Sequence, residues 1–543
     1  MSSSALPIGL ERRRTWLYLL LLCGVLLALA AGRPLAVPDE GRYGEIGRWM
    51  LQSGDWLTPR LNGIPFFHKP PYLYWLEAVA LASFGVNVWA LRLVPALHAA
   101  LMLVALYLAT RAIGTEQLAR RALLMLGTSL SFLIGGQYLN HDMLVAAWIG
   151  VAIWCFALAF ARAAGPAAPA LPGTASLWVK HRPQAGLARL GFVACGMGVL
   201  SKGLIGLALP GLVLLIWLLW TRRIRQVIRL PWISGLALFA LLTVPWFALA
   251  QQQYPGMLDY MFGTHQVGRY TGTNFNNARP WWFYLLALCL LLFPWLFFAA
   301  AQAVGGMRRT APAAGPVGPE WVSLCWIWLL AILLFFSLPN SKLVGYMLPV
   351  MPPLALLSSL GFERLLQSWR HRERLFAGLC ALALGLGVAA NVLAARFTAG
   401  KGSRDIAALL RCELRPGGTV YALDGFPYDL PFYAVAPRAM VALQDWPTLR
   451  RNAIDGWQRE LFEGAAFDPA AGAVLQTPEV LVAAGAAAGN WLVLPHGRAN
   501  ALSLPTGWVL VRAGQGWDLL RSGASAAKGP VPAEHEGLGG CQQ

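Results

Sequence analysis

Long apolar runs divide the first 400 residues into segments of membrane-spanning length. A transmembrane helix needs roughly 17 to 25 apolar residues, and runs near this length recur at residues 16–31, 89–110, 121–139, 142–161, 186–200, 203–220, 232–250, 282–303, 321–338, 343–362 and 375–396. Glycines interrupt some of these eleven runs, as at Gly135 and Gly196, so thirteen spans fit the pattern equally well. The pattern predicts an α-helical polytopic membrane protein with 11 to 13 transmembrane helices.

The pattern changes near Phe397, where the long apolar runs stop. Three segments, residues 418–425, 490–497 and 507–514, have the composition of short strands between turn residues, and helical periodicity appears at residues 403–412 and 447–463. We therefore expect a membrane domain at residues 1–396, which includes an outer loop at residues 32–71, and a small α/β domain at residues 397–543. Residues 163–174 and 310–319, rich in Ala, Pro and Gly, are predicted linkers, and disorder is expected after Ser522.

Composition and charge support this interpretation and add an orientation. The chain is 57% hydrophobic and only 13% charged, with a mean hydropathy of +0.53, which is typical of an integral membrane protein. No small-residue cleavage site follows the first run, so we expect it to remain as an anchor. Most of the net charge of +18 comes from alternate loops that contain Arg12, Arg13, Arg14, Arg111, Arg120, Arg121, Arg162, Lys180, Arg182, Arg189, Arg222, Arg223, Arg225, Arg229, Arg308, Arg309, Arg364, Arg370, Arg372 and Arg374.

Loops enriched in Lys and Arg face the cytoplasm. The charged stretch at residues 38–71 is therefore predicted to lie outside, and an odd number of spans places the C-terminal domain outside as well. The basic charge is explained by this topology together with attraction to membrane lipids. We expect no binding of nucleic acid.

Lysines at the outer ends of the predicted spans are the first candidates for chemistry. The chain has only six lysines, and Lys69, Lys202 and Lys342 each follow or begin a different span on the outer side. A phosphate group is the natural ligand of such cations, although any single lysine could instead extend toward lipid headgroups. Asp142 opens an apolar span and is either an N-cap or a site residue.

The outer loop has three predicted parts. Residues 41–51 have the periodicity of an amphipathic helix that lies on the membrane surface and ends at Ser53 and Gly54. Asp55 follows in a tight loop, where an aspartate is more often a turn former than a catalyst. The proline-rich residues 64–71 cannot form a regular helix, so they present His68 and Lys69 in an extended conformation.

The residues of this loop resemble a known family, the aminoarabinose lipid A transferases. These are relatives of the protein O-mannosyltransferases within the C-type, polyprenyl-phosphate-dependent glycosyltransferases. The resemblance rests on Asp39-Glu40, Arg42-Tyr43, Glu45-Ile46, Gly54-Asp55-Trp56, Pro59-Arg60, Gly63 and Phe66-Phe67-His68-Lys69-Pro70, and on residues 196–210, 265–270, 279–286 and 337–349, which occur in the family order. It covers the membrane region, whereas the C-terminal domain has no such motif.

The resemblance implies a bacterial inner-membrane enzyme with the C-type glycosyltransferase fold, thirteen helices and a periplasmic C-terminal domain. It would transfer 4-amino-4-deoxy-L-arabinose from undecaprenyl phosphate to a phosphate of lipid A and act as a monomer. Lys69 and Arg269 are the candidates to bind the carrier phosphate, which gains charge as it leaves. Lys202 and Lys342 are further phosphate candidates, with Tyr346 as a hydrogen-bond donor.

The resemblance also suggests roles for two carboxylates. Asp55 matches the position of a catalytic or acceptor-binding carboxylate in C-type enzymes. A phosphate acceptor is already anionic and needs little deprotonation, so Asp55 would orient the acceptor or bind the amino group of the sugar. Asp142 is the second candidate for that ammonium group. We expect direct in-line displacement with inversion.

His68 departs from the family, which usually has Glu before the lysine. Together with His265 and Asp55 it could bind a divalent ion such as zinc, or His265 could simply orient Arg269 or Asp55. We expect no required cofactor. The cysteines show no metal-ligand spacing; Cys412 and Cys541 either form a disulfide or remain free.

Three other functions are compatible with parts of the pattern. An enzyme like the protein O-mannosyltransferases would share the fold and the carrier but require a hydroxyl acceptor and a general base. A transporter of lipid-linked sugars would need charged residues through the bilayer to both sides, whereas the charges here stop at the outer mouth. A lipid-binding sensor would need no reactive constellation.

Overall fold

The computed structural model describes residues 8–162, 183–268, 270, 277–307, 317–414, 417–452 and 455–523. The predicted linker at residues 163–174, residues 310–316 of the second linker and residues 524–543 of the predicted disordered tail lie outside this described part. The same applies to Cys541, so the proposed pairing with Cys412 stays a prediction.

Helices dominate the chain up to residue 399. The α-helices are α1 (Ile8–Ala30), α2 (Asp39–Ser53), α3 (Tyr72–Phe84), α4 (Val88–Ile113), α5 (Glu116–Gly127), α6 (Leu130–Gly135), α7 (His141–Arg162), α8 (Ala185–Lys202), α9 (Ile205–Trp220), α10 (Trp232–Gln253), α11 (Phe283–Leu291), α12 (Leu296–Met307), α13 (Pro319–Ser337), α14 (Met351–Leu366) and α15 (Arg372–Ala399). Ile224–Arg229 and Val344–Val350 are 3₁₀-helices, and Asp259–Gly268 is a π-helix.

Eight helices in the described part of the chain are long and apolar enough to cross a membrane. A ninth span is possible if α11 and α12, which are bent by 113° at their junction, form one broken crossing. The helix α9 is apolar but has only 16 residues. Of the candidate spans, α7 is the most deeply buried, so its polar N-terminal residues are held by neighbouring helices rather than by lipid.

Two predicted spans are not continuous helices. Residues 121–139 divide into α5 and α6 because the backbone turns after Gly127 and Ser129 caps α6, its Oγ accepting a hydrogen bond from the Phe132 N–H (3.3 Å). Residues 282–303 are broken at Pro294, which has no N–H to donate and cannot follow a helical residue without strain. Window-based reading of hydropathy does not detect such breaks.

The structure separates into two compact units whose boundaries differ from the expected domains. The first unit comprises Met1–Ala30, His68–Leu73 and Arg92–Asn391. The second comprises Ala31–Phe67, Tyr74–Leu91 and Val392–Gln543. The outer loop, which we had expected within the membrane domain, is therefore mostly grouped with the C-terminal residues.

The second unit contains a six-stranded mixed sheet. Its strands are β3 (Val420–Leu423), β4 (Val441–Leu443), β5 (Leu475–Gln476), β6 (Trp491–Pro495), β7 (Trp508–Ala513) and β8 (Trp517–Ser522), in the order β5-β4-β3-β6-β8-β7. The strands β3 to β6 are parallel, while β8 is antiparallel to both β6 and β7. Short helices α16 (Arg404–Glu413), α17 (Leu430–Ala434), α18 (Trp446–Asn452), α19 (Trp457–Ala465) and α20 (Val480–Ala486) complete this α/β fold.

The outer loop joins this unit through specific hydrogen bonds. A short hairpin, β1 (Arg60–Leu61) and β2 (Ile64–Pro65), presents Asn62, whose side chain donates to the Met440 carbonyl (2.8 Å) and accepts from the Met440 N–H (2.7 Å). The Tyr433 hydroxyl accepts from the Leu35 N–H at 2.7 Å. On α2, Arg42 pairs with both Asp39 and Glu460. These contacts explain why the loop is grouped with residues far along the chain.

A buried carboxyl in the second unit gives the first testable prediction. Asp429 is fully buried and accepts hydrogen bonds from the N–H and hydroxyl of Ser403, both at 2.9 Å. Burial raises its pKa to about 6. Because the folded state favours the protonated carboxyl, this preference makes its full contribution to the free energy of unfolding at pH values below the usual pKa of Asp. The contribution is lost as the pH rises through about 6.

In the unaltered protein, the free energy of unfolding should therefore fall by about 3 kcal/mol as the pH rises through this range, since one pKa unit corresponds to about 1.36 kcal/mol. Asp429→Asn, which has no carboxyl group to titrate, should not show this fall. The thermal unfolding of the full chain in detergent, measured from pH 4 to pH 7, tests this. Asp445→Asn, at an exposed carboxylate of the same unit, is the control. Identical pH slopes for Asp429→Asn and the unaltered protein would contradict the prediction.

Candidate functional site

A largely apolar pocket with a few charged and polar groups lies in the first unit. The space between its walls is about 920 Å³, part of which is open to solvent. The wall is formed by the end of α8, the start of α9, the π-helix, the end of α13 and the segment before α14. Its lining residues are Lys69, Lys202, Leu204, Ile205, Ala208, His265, Gln266, Val267, Tyr270, Phe335, Phe336, Pro339, Ser341 and Tyr346.

Lys202, the last residue of α8, carries one of the two positive charges in this lining. Its ammonium pairs with Asp142 at the start of α7 and lies 4.4 Å from the centre of the Tyr346 ring. Asp142 also accepts a hydrogen bond from the Asn140 side chain (2.9 Å). The carboxylate approaches Gly345 so closely that a Cβ atom there would lie 2.1 Å from Oδ2. A glycine is therefore required for this arrangement.

Lys69 carries the second positive charge and belongs to the short segment His68–Leu73 of this unit. Beside it, the ring of His68 stacks on that of His265, with centroids 3.9 Å apart. The Tyr260 hydroxyl is 2.8 Å from His68 Nε2. Both His265 and Tyr260 lie on the π-helix, a conformation that is rare in proteins and frequent at functional sites. The backbone bends at His68 and Lys69, which differs from the extended conformation predicted from the prolines.

Lys342 is placed differently from the other two predicted phosphate ligands. It is buried, and its ammonium donates to the backbone carbonyls of Arg279 and Pro339. Burial also lowers its pKa. It is absent from the residues that line the pocket, so its observed contacts stabilise the loop before α14.

Asp55 lies in the second unit, after the end of α2. Its Oδ1 accepts hydrogen bonds from the N–H groups of Leu57 (3.1 Å) and Thr58 (3.0 Å), and its Oδ2 is 3.6 Å from Arg60 Nε. This is the turn-forming arrangement that a single aspartate in a tight loop most often adopts. The side chain remains about one-third exposed, so the catalytic role stays a prediction.

Two further predictions are only partly addressed by these contacts. Arg269, the predicted partner of Lys69, lies outside the described residues. Of the three predicted metal ligands, His68 and His265 are brought together in the first unit, whereas Asp55 belongs to the second. The metal site therefore also stays a prediction.

Sequence reasoning missed three polar residues that line the pocket. These are Gln266, Tyr270 and Ser341. The Tyr270 hydroxyl donates to the Phe335 carbonyl (3.1 Å), whereas the amide nitrogen of Gln266 and the hydroxyl of Ser341 are buried without a partner among the described residues. All three lie within segments that carry the family resemblance, but neutral side chains give no signal in a search for charge.

Comparison with known proteins shows which fold this chain adopts. Residues 35–261 match the dolichyl-phosphate-mannose-protein mannosyltransferase family. The chain resembles an ArnT from Cupriavidus metallidurans solved with undecaprenyl phosphate bound, with a TM-score of 0.77 and 23% identity over 95% of this chain and 99% of that chain. The fold is therefore that of this ArnT, and the predicted multi-pass helical membrane protein with a small C-terminal α/β region is confirmed.

Two curated relatives define the family more narrowly. Both are undecaprenyl phosphate-alpha-4-amino-4-deoxy-L-arabinose arabinosyl transferases. The protein of Pseudomonas aeruginosa (strain UCBPP-PA14) is 34% identical over 64% of this chain and 59% of its own length, and that of Pseudomonas paraeruginosa (strain DSM 24068 / PA7) is 31% identical over 80% and 72%. The chain belongs to this family of arabinosyl transferases, and the resemblance found in the sequence is confirmed.

Proposed function

We propose that the protein transfers 4-amino-4-deoxy-L-arabinose from undecaprenyl phosphate to a phosphate group of lipid A. The observation that carries this proposal is the pocket of the first unit, where Lys69 and Lys202 stand in an otherwise largely apolar wall. A polyprenyl phosphate combines an anionic head with an apolar chain, and this lining is complementary to both parts. The names of the two Pseudomonas relatives specify the same sugar and carrier.

The proposed reaction is a single in-line displacement. An oxygen of the acceptor phosphate attacks the anomeric carbon of the sugar as the bond from that carbon to the undecaprenyl phosphate oxygen breaks. Because the acceptor oxygen is already anionic, no proton has to be removed from it. Negative charge develops on the departing phosphate. Lys69, Lys202 and Arg269 would therefore stabilise the transition state more strongly than the ground state of the bound substrate.

The site and the C-terminal domain would face the periplasm, from a bacterial inner membrane in which the protein acts as a monomer. The basic residues of alternate loops support this orientation. Modification of lipid A in this way would reduce its negative charge and protect the cell against polymyxin and other cationic peptides. The test is mass spectrometry of lipid A from cells with and without the gene, in which the pentosamine mass should be lost without it.

A second candidate is transfer from the same carrier to a protein hydroxyl, which the match of residues 35–261 favours. The two proposals are distinguished by giving purified protein the lipid-linked aminoarabinose together with either lipid A or a peptide. We expect a product only in the reaction that contains lipid A. A glycopeptide product without modified lipid A would establish the second function instead.

Substitution of Asp55 distinguishes a chemical role from the turn observed in the structure. Asn retains an oxygen that can accept from Leu57 and Thr58 but lacks the charge, whereas Ala loses both. If the carboxylate orients the acceptor or binds the sugar ammonium, Asp55→Asn and Asp55→Ala should both abolish pentosamine addition, with a rate loss on the order of 100-fold. Lipid A mass spectra at equal expression provide the measurement. Normal modification in Asp55→Asn would show that the turn alone matters.

We propose that no metal is required, because lysines already supply positive charge to the leaving phosphate. Exhaustive treatment of the purified protein with a strong chelator should leave the transfer rate within about twofold of the untreated rate, a difference too small to reflect a lost Lewis acid. The same treatment of a zinc-dependent enzyme is the positive control. A rate lost on chelation and recovered on adding zinc would contradict this proposal and support a site that includes His68 and His265.

A further inference from the structure

Gln266 is held in place by an unusual backbone environment. It follows His265 on the π-helix, and its Oε1 accepts a hydrogen bond from the Leu204 N–H at the start of α9 (2.8 Å). The amide group lies against Gly203, where a Cβ atom would be only 2.0 Å from Nε2. Gly203 also has a positive φ of 86°, which a residue with a side chain rarely adopts. The backbone at 203 and 204 therefore forms a cradle for this amide.

The contacts of Gln266 leave only its donor group unused. Its oxygen is occupied by Leu204, while Nε2 is buried and has no hydrogen-bond partner in the described part of the chain. An unsatisfied buried donor is costly and calls for an explanation, which at a binding site is commonly a ligand. Because the Gln266 oxygen already accepts a hydrogen bond, the unused Nε2 donor is complementary to a ligand group that only accepts hydrogen bonds.

Ser341 repeats this feature on another wall of the pocket. Its residue is buried, its backbone pairs with Ala278 in an isolated bridge, and its Oγ has no hydrogen-bond partner among the described residues. Gln266 and Ser341 thus bring two unused polar groups to a pocket that also contains Lys69 and Lys202. An acceptor-only anion such as a phosphate would satisfy both unused groups and would be attracted by the two lysines.

We propose that Gln266 and Ser341 donate hydrogen bonds to the phosphate oxygens of the polyprenyl phosphate and so determine its position in the pocket. This inference rests on the proposed function, since it concerns the same carrier. Neutral donors complement the lysines because their direction is fixed: a lysine attracts an anion from many angles, whereas an amide N–H held by a backbone contact selects one position. The two residues would align the leaving oxygen for displacement.

The test measures binding of undecaprenyl phosphate without sugar to the full-length protein in detergent. Gln266→Glu keeps the shape and the oxygen that accepts from Leu204 but replaces the donor with a second, negatively charged oxygen. Gln266→Leu removes both the donor and the acceptor. The matched control is Gln251→Leu, because Gln251 caps a backbone N–H in the same way, at Leu258 (2.9 Å), and is absent from the pocket lining.

A donor role predicts that Gln266→Glu weakens binding at least as much as Gln266→Leu, with Kd raised about tenfold or more, as is typical for hydrogen bonds to charged groups. Ser341→Ala should also raise Kd, and Gln251→Leu should not. If Gln266 only capped the backbone, Gln266→Leu would be the more harmful substitution, and that order would overturn the inference. Wild-type affinity in both Gln266→Glu and Ser341→Ala would overturn it as well, while leaving the proposed function intact. If the unaltered protein bound no undecaprenyl phosphate, the proposed function would fail first.

Discussion

Replacing Lys69 with alanine is expected to reduce sugar transfer by about 100-fold or more and to remove the pentosamine mass from lipid A. Lys69 is one of two cations that line the pocket, and it is followed by two prolines, whose rings restrict the local backbone. Removing a group that stabilises charge developing in the transition state typically costs a factor of 10² to 10³ in rate. Turnover of purified protein in detergent, with lipid A and the lipid-linked sugar, measures this directly.

The size of the loss should depend on geometry as well as on charge. Lys69→Arg retains the charge but replaces a compact ammonium with a planar fork, so we expect partial activity between those of alanine and lysine. Lys401→Ala provides the control, because Lys401 is exposed in the second unit and its ammonium lies over the Phe397 ring. Normal lipid A modification by Lys69→Ala at equal expression would refute the assignment of Lys69 to the carrier phosphate.

The helical fold was largely predictable because membrane spans leave a strong signal. Each of the eight candidate spans exceeds the length of an ordinary apolar core segment, and its hydropathy survives averaging over a window. The breaks at Ser129 and Pro294 depend on single side chains, which averaging hides. In the second unit, β4 and β5 have only three and two residues, too few for any periodicity to be recognised.

Which segments of the chain belong to each of the two units could not be predicted from the local sequence pattern. Asn62 and Met440, which exchange two hydrogen bonds, are 378 positions apart. Similarly, Arg42 and Glu460 are 418 positions apart. Apolar periodicity carries no information about such long-range pairs, so the outer loop was assigned to its neighbours in sequence rather than to those in space.

At the site, charge led prediction to residues that line one pocket but not to all of the polar groups of that pocket. Lys69, Lys202, His265 and Tyr346 were predicted and line the same pocket. Lys342 is the same residue type as Lys69 and Lys202, but its ammonium donates to backbone carbonyls, a distinction that residue type alone does not contain. Gln266 and Ser341 were not predicted, because the sequence does not distinguish them from ordinary polar residues. Only the burial of their side-chain polar atoms, without a hydrogen-bond partner in the described part of the chain, does so.

The buried pair Asp142 and Lys202 gives the second large expected effect, because it combines stability and activity. Both side chains are about one-tenth exposed or less. Removing one partner of a buried ion pair leaves the other charge uncompensated, which typically costs about 3 to 5 kcal/mol. Asp142→Ala should therefore both destabilise the protein and abolish transfer.

Gly345→Ala should have a similar, weaker effect, since the new Cβ would displace the Asp142 carboxylate from its position. Its control is Gly385→Ala, because a Cβ at position 385 meets nothing within 4 Å.

The double variant Asp142→Ala with Lys202→Met separates the two effects. An apolar pair of similar volume can replace a buried ion pair with little loss of stability, so the double variant should recover most of the thermal stability that Asp142→Ala loses. Its transfer activity should nevertheless stay at least about 100-fold below that of the unaltered protein, because no cation at position 202 remains to meet the departing phosphate. The two quantities, thermal midpoint and turnover, are measured on the same detergent preparation. If turnover returned together with stability, the pair would serve the packing of α7 against α8 alone, and Lys202 would have no part in binding the carrier.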